Sequence, residues 1–147
     1  TQRHFLDSVR NNQQESLDPQ FCSLLKHHWQ EEAQHARLDT LMVQDLAAKL
    51  DRAEIAAAID DYIAIVYYLN EGLKTQVQLD LASLERAIGR KLMTIEIDRI
   101  QQVQESSYQW AFLGSGMTHT NFVQTVRELS SSGYRRIESI AKKFALS

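Results

Sequence analysis

Three of the five histidines of this chain fall within nine residues, in Lys26-His27-His28-Trp29-Gln30-Glu31-Glu32-Ala33-Gln34-His35. Their placement matters more than their clustering. Phe21, Leu25, His28, Glu32, His35, Asp39, Met42 and Leu46 follow one another at alternating three- and four-residue steps, which is one face of an α-helix. The ends of that stripe are apolar and its middle is polar. The apolar ends are predicted to face a helical interior, so His28, Glu32 and His35 are expected to be carried inward with them. A carboxylate taken out of water needs a partner or a metal ion.

The spacing selects the kind of metal chemistry. Seven residues of helix separate the Cα atoms of His28 and His35 by about 10.5 Å, so one ion could take both rings only with strain. Two ions about 3.5–4 Å apart are better served, with Glu32 giving one oxygen to each. Glu32-Ala33-Gln34-His35 is also the Glu-x-x-His pair that projects inward in carboxylate-bridged di-iron and di-manganese bundles. Imidazole and carboxylate together suit iron or manganese, with zinc also compatible. The competing reading is a polar helix face, solvated or hydrogen-bonded to neighbouring helices. His27, Glu31 and Gln34 fall off the stripe. Asp39 lies on it, placed either to orient a ligand histidine through its free N–H or to pair with Arg37 or a neighbouring helix.

Outside this stretch the chemistry is sparser. Glu71 is the first choice for a carboxylate approaching the metals from a facing helix, and a salt bridge to Lys74 is the ordinary alternative. His4 is another candidate to complete a reduced site. Tyr62, Tyr67, Tyr68, Tyr108, Trp110 and Phe112 read as core and interface aromatics. Gly114-Ser115-Gly116 lacks the Lys and preceding strand of a phosphate loop. His119 reads as structural. Arg135, Arg136, Lys142 and Lys143 make a basic end too modest for nucleic acid.

The elements that must position these groups are helices. Asp18 is placed to cap a helix whose first position is Pro19, and nothing breaks that helix until about Leu50. His4, Phe5, Leu6 and Val9 are expected to end a preceding helix. Asp51 and Glu54 form a capping-box pattern ahead of a second long helix, with apolar residues from Ile55 to Ile88, stopped by Gly89. A third is expected from Thr94 to the Gly-Ser-Gly break, a fourth from about Thr120 to Leu129, and a fifth from about Tyr134 to Ala145. Long helices with short connections pack as antiparallel neighbours, so the expected fold is an all-α bundle.

Composition sets the outer bounds. The 147 residues suffice for one core, and one Pro and five Gly are too few for a β-rich fold. A formal net charge of -3 argues against nucleic acid as partner. The lone Cys22 excludes an internal disulfide framework and any cysteine-built zinc or iron–sulfur cage, and fits a cytoplasmic setting. No apolar run reaches the ~18 residues a membrane span requires.

The His28-x-x-x-Glu32-x-x-His35 helix resembles the C-terminal metal-binding helix of the ferritin-like di-iron oxygenases related to p-aminobenzoate N-oxygenase. Asn70-Glu71, Gln78-Leu79-Asp80, Leu84-Glu85-Arg86 and the run from Phe112 to His119 add a looser similarity to bacterial members of that group. The resemblance implies a ferritin-like bundle and a di-iron centre that activates dioxygen. It also implies an external electron donor, a small organic substrate such as an amine, and often a homodimer. The chain has no second Glu-x-x-His, and a dinuclear site needs roughly six protein ligands. The expectation is therefore a single all-α domain, residues 1–147, forming the C-terminal part of a larger helical domain.

Two functions follow as expectations. The first is an oxidoreductase in which His28 and His35 each hold one iron and Glu32 bridges. The second is a non-catalytic helical interaction module whose histidines sit in a buried His/Glu network. A hemerythrin-like sensor fits less well, since the His-x-x-x-His pair of that family is missing.

Overall fold

The computed structural model describes residues 18–145. These residues are almost wholly helical, and no strand occurs among them. The chain divides into two compact units, with the boundary between Lys49 and Leu50. The expected helix end at His4, Phe5, Leu6 and Val9 lies outside the described residues.

The described part of the first unit is one helix, α1, Pro19–Ala47. The Asp18 side chain accepts a hydrogen bond from Phe21 N at 2.9 Å, and Pro19 fills the first helical position. Thus the predicted N-terminal signals operate as read.

The second unit is built on α2, Arg52–Ile88, a helix of 37 residues and about 56 Å. Asp51 accepts from Ala53 N and Glu54 N, and the Glu54 carboxylate accepts from Asp51 N, closing the capping box. At the other end Gly89 adopts φ +69°, where a β-carbon would be strained, and its N–H bonds back to the Glu85 carbonyl.

The corner after α2 is fixed by charge. Arg90 donates twice to Glu96, at 2.7 Å each, while Glu96 also accepts from Met93 N and so caps α3, Thr94–Gln109. Glu85 accepts from Lys91 Nζ and Leu92 N on the same corner. Beyond it α3 folds back along α2. Tyr108 donates to Asp80 at 2.6 Å, and Gln109 donates to Asn70 at 2.8 Å. Asn70 is buried, so that amide bond satisfies a group that water cannot reach.

The expected helix break at Gly114-Ser115-Gly116 is not a break. The chain continues through a π-helical turn, Trp110–Gly114, into a last turn, Ser115–Met117. The Ser115 N–H reaches the Trp110 carbonyl five residues back, so the wider turn absorbs the glycines without losing helical direction. Two short helices follow, α4 (Thr120–Leu129) and α5 (Ser131–Lys143). The latter starts earlier than the sequence suggested, because Ser130 caps it by accepting from Gly133 N at 3.1 Å.

The core of this unit joins Ile59 and Val66 of α2 to Leu113, Met117, Ile137, Ile140, Ala141 and Phe144. Tyr62 and Phe122 pack beside it with ring centroids 5.3 Å apart. Burial pushes the Tyr62 hydroxyl up to about 12, so it stays protonated at any physiological pH. No helix among the described residues is long and apolar enough to cross a membrane.

Candidate metal-binding face of the first helix

The helical periodicity of α1 sets His28, Glu32 and His35 on one face, and the side chains converge there. His28 Nε2 lies 4.0 Å and His35 Nδ1 3.9 Å from the same atom, Glu32 Oε1. The i+4 step presents one ring by its Nε2 and the i−3 step the other by its Nδ1, so the carboxylate stands between two imidazole nitrogens. Neither separation is a hydrogen bond. Two donors about 2.1 Å from one tetrahedral ion stand about 3.4 Å apart, so each pair needs only a small side-chain rotation to share an ion. Turning the terminal carboxylate torsion, which is soft, would give one oxygen to each ion.

This face is open. The side chains of His28, Glu32 and His35 are 59%, 45% and 57% exposed. Phe21, Met42 and Leu46, expected to face an interior, are also more than half exposed. The inward orientation assumed in both functional readings is therefore corrected, and the exposures match the competing reading of a solvated polar face. The partly covered residues of α1 include Leu25 and Glu32 of the stripe together with Cys22, Trp29, Ala33 and Thr40, one flank round from it. The periodicity identified a coherent face, but a stripe of mixed polarity does not tell which side of a helix is covered.

Among the described residues no three His, Cys, Asp or Glu side chains are close enough to hold a single ion. That agrees with the 10.5 Å argument from helix rise, in which one helix gives each ion one nitrogen and a share of Glu32. Donor chemistry fits a divalent transition metal: neutral imidazole and carboxylate, with no thiolate nearby. The donor number does not fit a closed site, because three groups are half of what two ions require.

The other candidates are dispersed. Glu71 is exposed and bonded to Lys74 at 2.7 Å, which holds its carboxyl below the usual range, so it takes the salt-bridge role. His27 points off the stripe, its Nδ1 2.8 Å from the Ser23 carbonyl. Asp39 is exposed on the stripe. His119 is exposed ahead of α4, where its carbonyl accepts from Val123 N. His4 lies outside the described residues.

The basic end divides as well. Arg136 pairs with Asp60 of α2 at 2.6 Å, and Lys142 with Glu138 at 3.5 Å. Between α2 and α5 lies an open groove of about 620 Å³, lined by Ile63, Tyr67, Arg135, Arg136, Ser139 and Lys143 among others. Sequence reading found its cations but not the groove, which depends on how the two helices pack. Compared with protein-family models, with curated proteins and with solved structures, the chain matches none.

Proposed function

We propose that α1 supplies one helix's share of a carboxylate-bridged dinuclear metal centre, with His28 and His35 each binding one ion and Glu32 bridging them. The observation that carries this reading is the approach of two imidazole nitrogens to one carboxylate oxygen, at 4.0 and 3.9 Å. Ligands from outside this one helix complete the coordination. Iron is the metal proposed, with manganese or zinc compatible with the same donors. Bound iron would supply dioxygen activation, and the protein would act as a cytoplasmic oxidoreductase on a small organic substrate such as an amine, taking electrons from an external donor. The ferritin-like bundle and the kinship with di-iron oxygenases are part of this proposal and rest on the His28-x-x-x-Glu32-x-x-His35 motif.

The chain's own contribution is positional. The helix fixes the three donors in sequence along one face, and apolar residues on either side would exclude water once that face is covered. Metal analysis of protein produced in iron-supplemented cells tests the reading. Iron is expected to copurify and to be lost with Glu32→Ala, and iron content unchanged by that substitution overturns it.

One observation favours a second reading, a non-catalytic helical interaction module. Phe21, Leu24, Leu38, Leu41, Met42 and Leu46 of α1 are each more than half exposed. Large apolar side chains exposed toward both ends of one helix support a binding face. In this reading a partner helix covers α1 without metal.

A further inference from the structure

Resting on the metal reading above, we infer that the covering partner of α1 is the α1 of a second copy of this chain, paired antiparallel about a twofold axis through the His28/Glu32/His35 face, so that two half-sites make one dinuclear centre. The first support is that four residues of the face, His28 and His35 and, outside them, Phe21 and Met42, are placed symmetrically about a point between Glu31 and Glu32. Antiparallel pairing about that point sets His28 level with His35 of the second copy and Phe21 with Met42. At those two pairs of levels an apolar residue meets an apolar residue and a ligand meets a ligand. A twofold interface requires this self-complementarity.

The second support is the donor count. Each copy brings two imidazoles and one carboxylate, so the pair brings four and two, the six ligands a dinuclear centre needs. Each ion then receives His28 from one copy, His35 from the other, and oxygens from both Glu32 carboxylates, whose levels differ by one residue, about 1.5 Å. The third support is charge. Two Glu32 carboxylates brought together across an apolar-flanked seam repel each other, and a divalent ion beside each reverses that sign. Association is thus coupled to metal. The parallel arrangement is disfavoured because it sets Asp39 against Asp39 and aligns the two helix dipoles, which antiparallel pairing opposes.

The test uses cobalt(II), whose visible absorption reports imidazole and carboxylate coordination, on the whole chain stripped of metal by EDTA. Light scattering on a sizing column is expected to give the monomer mass without metal and twice that mass with cobalt, at one cobalt per chain. Glu32→Ala is expected to abolish both cobalt binding and dimer. Met42→Glu, on an exposed position outside the ligand set, is expected to weaken the dimer at least tenfold, with helicity by circular dichroism unchanged in both variants. Cobalt bound with the mass remaining that of a monomer overturns the inference and leaves the metal reading standing. No cobalt uptake overturns both, and a dimer that persists undiminished in EDTA overturns the coupling of association to metal.

Discussion

Gly133 of α5 lies directly over Ile59 of α2: a β-carbon on Gly133 would stand 2.2 Å from Ile59 Cδ1 and 3.3 Å from Cγ1. Both residues are buried, and the glycine is there for space. Gly133→Ala forces Ile59 off its packing position. The expected cost is about 1–3 kcal/mol, as for overpacked cores. Ile59→Val removes the obstructing methyl and alone costs about 0.5–1.5 kcal/mol. The double variant is expected to be more stable than Gly133→Ala alone. Urea unfolding of the three variants measures this, and additive losses would show that the contact is not the cause.

Asn70 and Gln109 form the second relationship that a double substitution can isolate. The Gln109 amide donates to Asn70 Oδ1 at 2.8 Å, and Asn70 Nδ2 donates to Glu71 at 3.3 Å. Asn70→Leu leaves the half-buried Gln109 amide without that acceptor, at an expected cost of about 1–3 kcal/mol. Replacing both by Leu removes donor and acceptor together, and the double variant is expected to unfold at higher denaturant concentration than Asn70→Leu. A double variant less stable than both single ones would refute this account.

Much of the helical skeleton was legible because its signals are local. Asp18-Pro19, the Asp51/Glu54 box and Gly89 act within one turn of themselves, and each does in the structure what its type and position imply. Gly114-Ser115-Gly116 misled because glycine signals a break only where the chain is free to leave the helix. Here Leu113 and Met117 are held in the core on either side, and a π turn absorbs the strain. The trio on α1 was legible as a face, since a helix places i, i+4 and i+7 together whatever surrounds it. Its exposure was only one of two readings the sequence left open, because covering depends on partners distant in sequence. The Asn70–Gln109 bond, 39 residues apart in the chain, was out of reach for the same reason.

Acid should weaken the α2–α3 corner in a defined direction. The Arg90 guanidinium, and then the Met93 N–H, hold the Glu96 carboxyl down to about 2. A carboxyl depressed in the folded state contributes stability above the ordinary carboxylate range and loses that contribution as pH falls through the folded value. Melting temperature is therefore expected to drop between about pH 5 and pH 2, in the window where unfolded carboxyls protonate before this one does. Glu96→Gln keeps an acceptor for Met93 N but not the charge, and its melting curve is expected to depend less on pH across that window. An identical pH slope in both proteins would exclude the Arg90–Glu96 pair as a source.

The histidines should separate by face. His28 and His35 both approach Glu32 Oε1, whereas His27, adjacent in sequence, is turned to the Ser23 carbonyl. Since even groups that only support a metal ligand change affinity by about 10–100-fold, loss of a ligand itself should do at least as much. His28→Ala and His35→Ala are each expected to weaken cobalt(II) binding by that factor or more, and His27→Ala to leave it within about threefold. All three positions are exposed on one helix, so folding does not confound the comparison. Isothermal titration of the metal-free proteins measures it. Because both rings serve a centre bridged by the same carboxylate, the effects of His28→Ala and His35→Ala should not add. A His27→Ala protein as impaired as the other two would mean that cobalt binds the histidine cluster indiscriminately, and the bridging arrangement would be wrong.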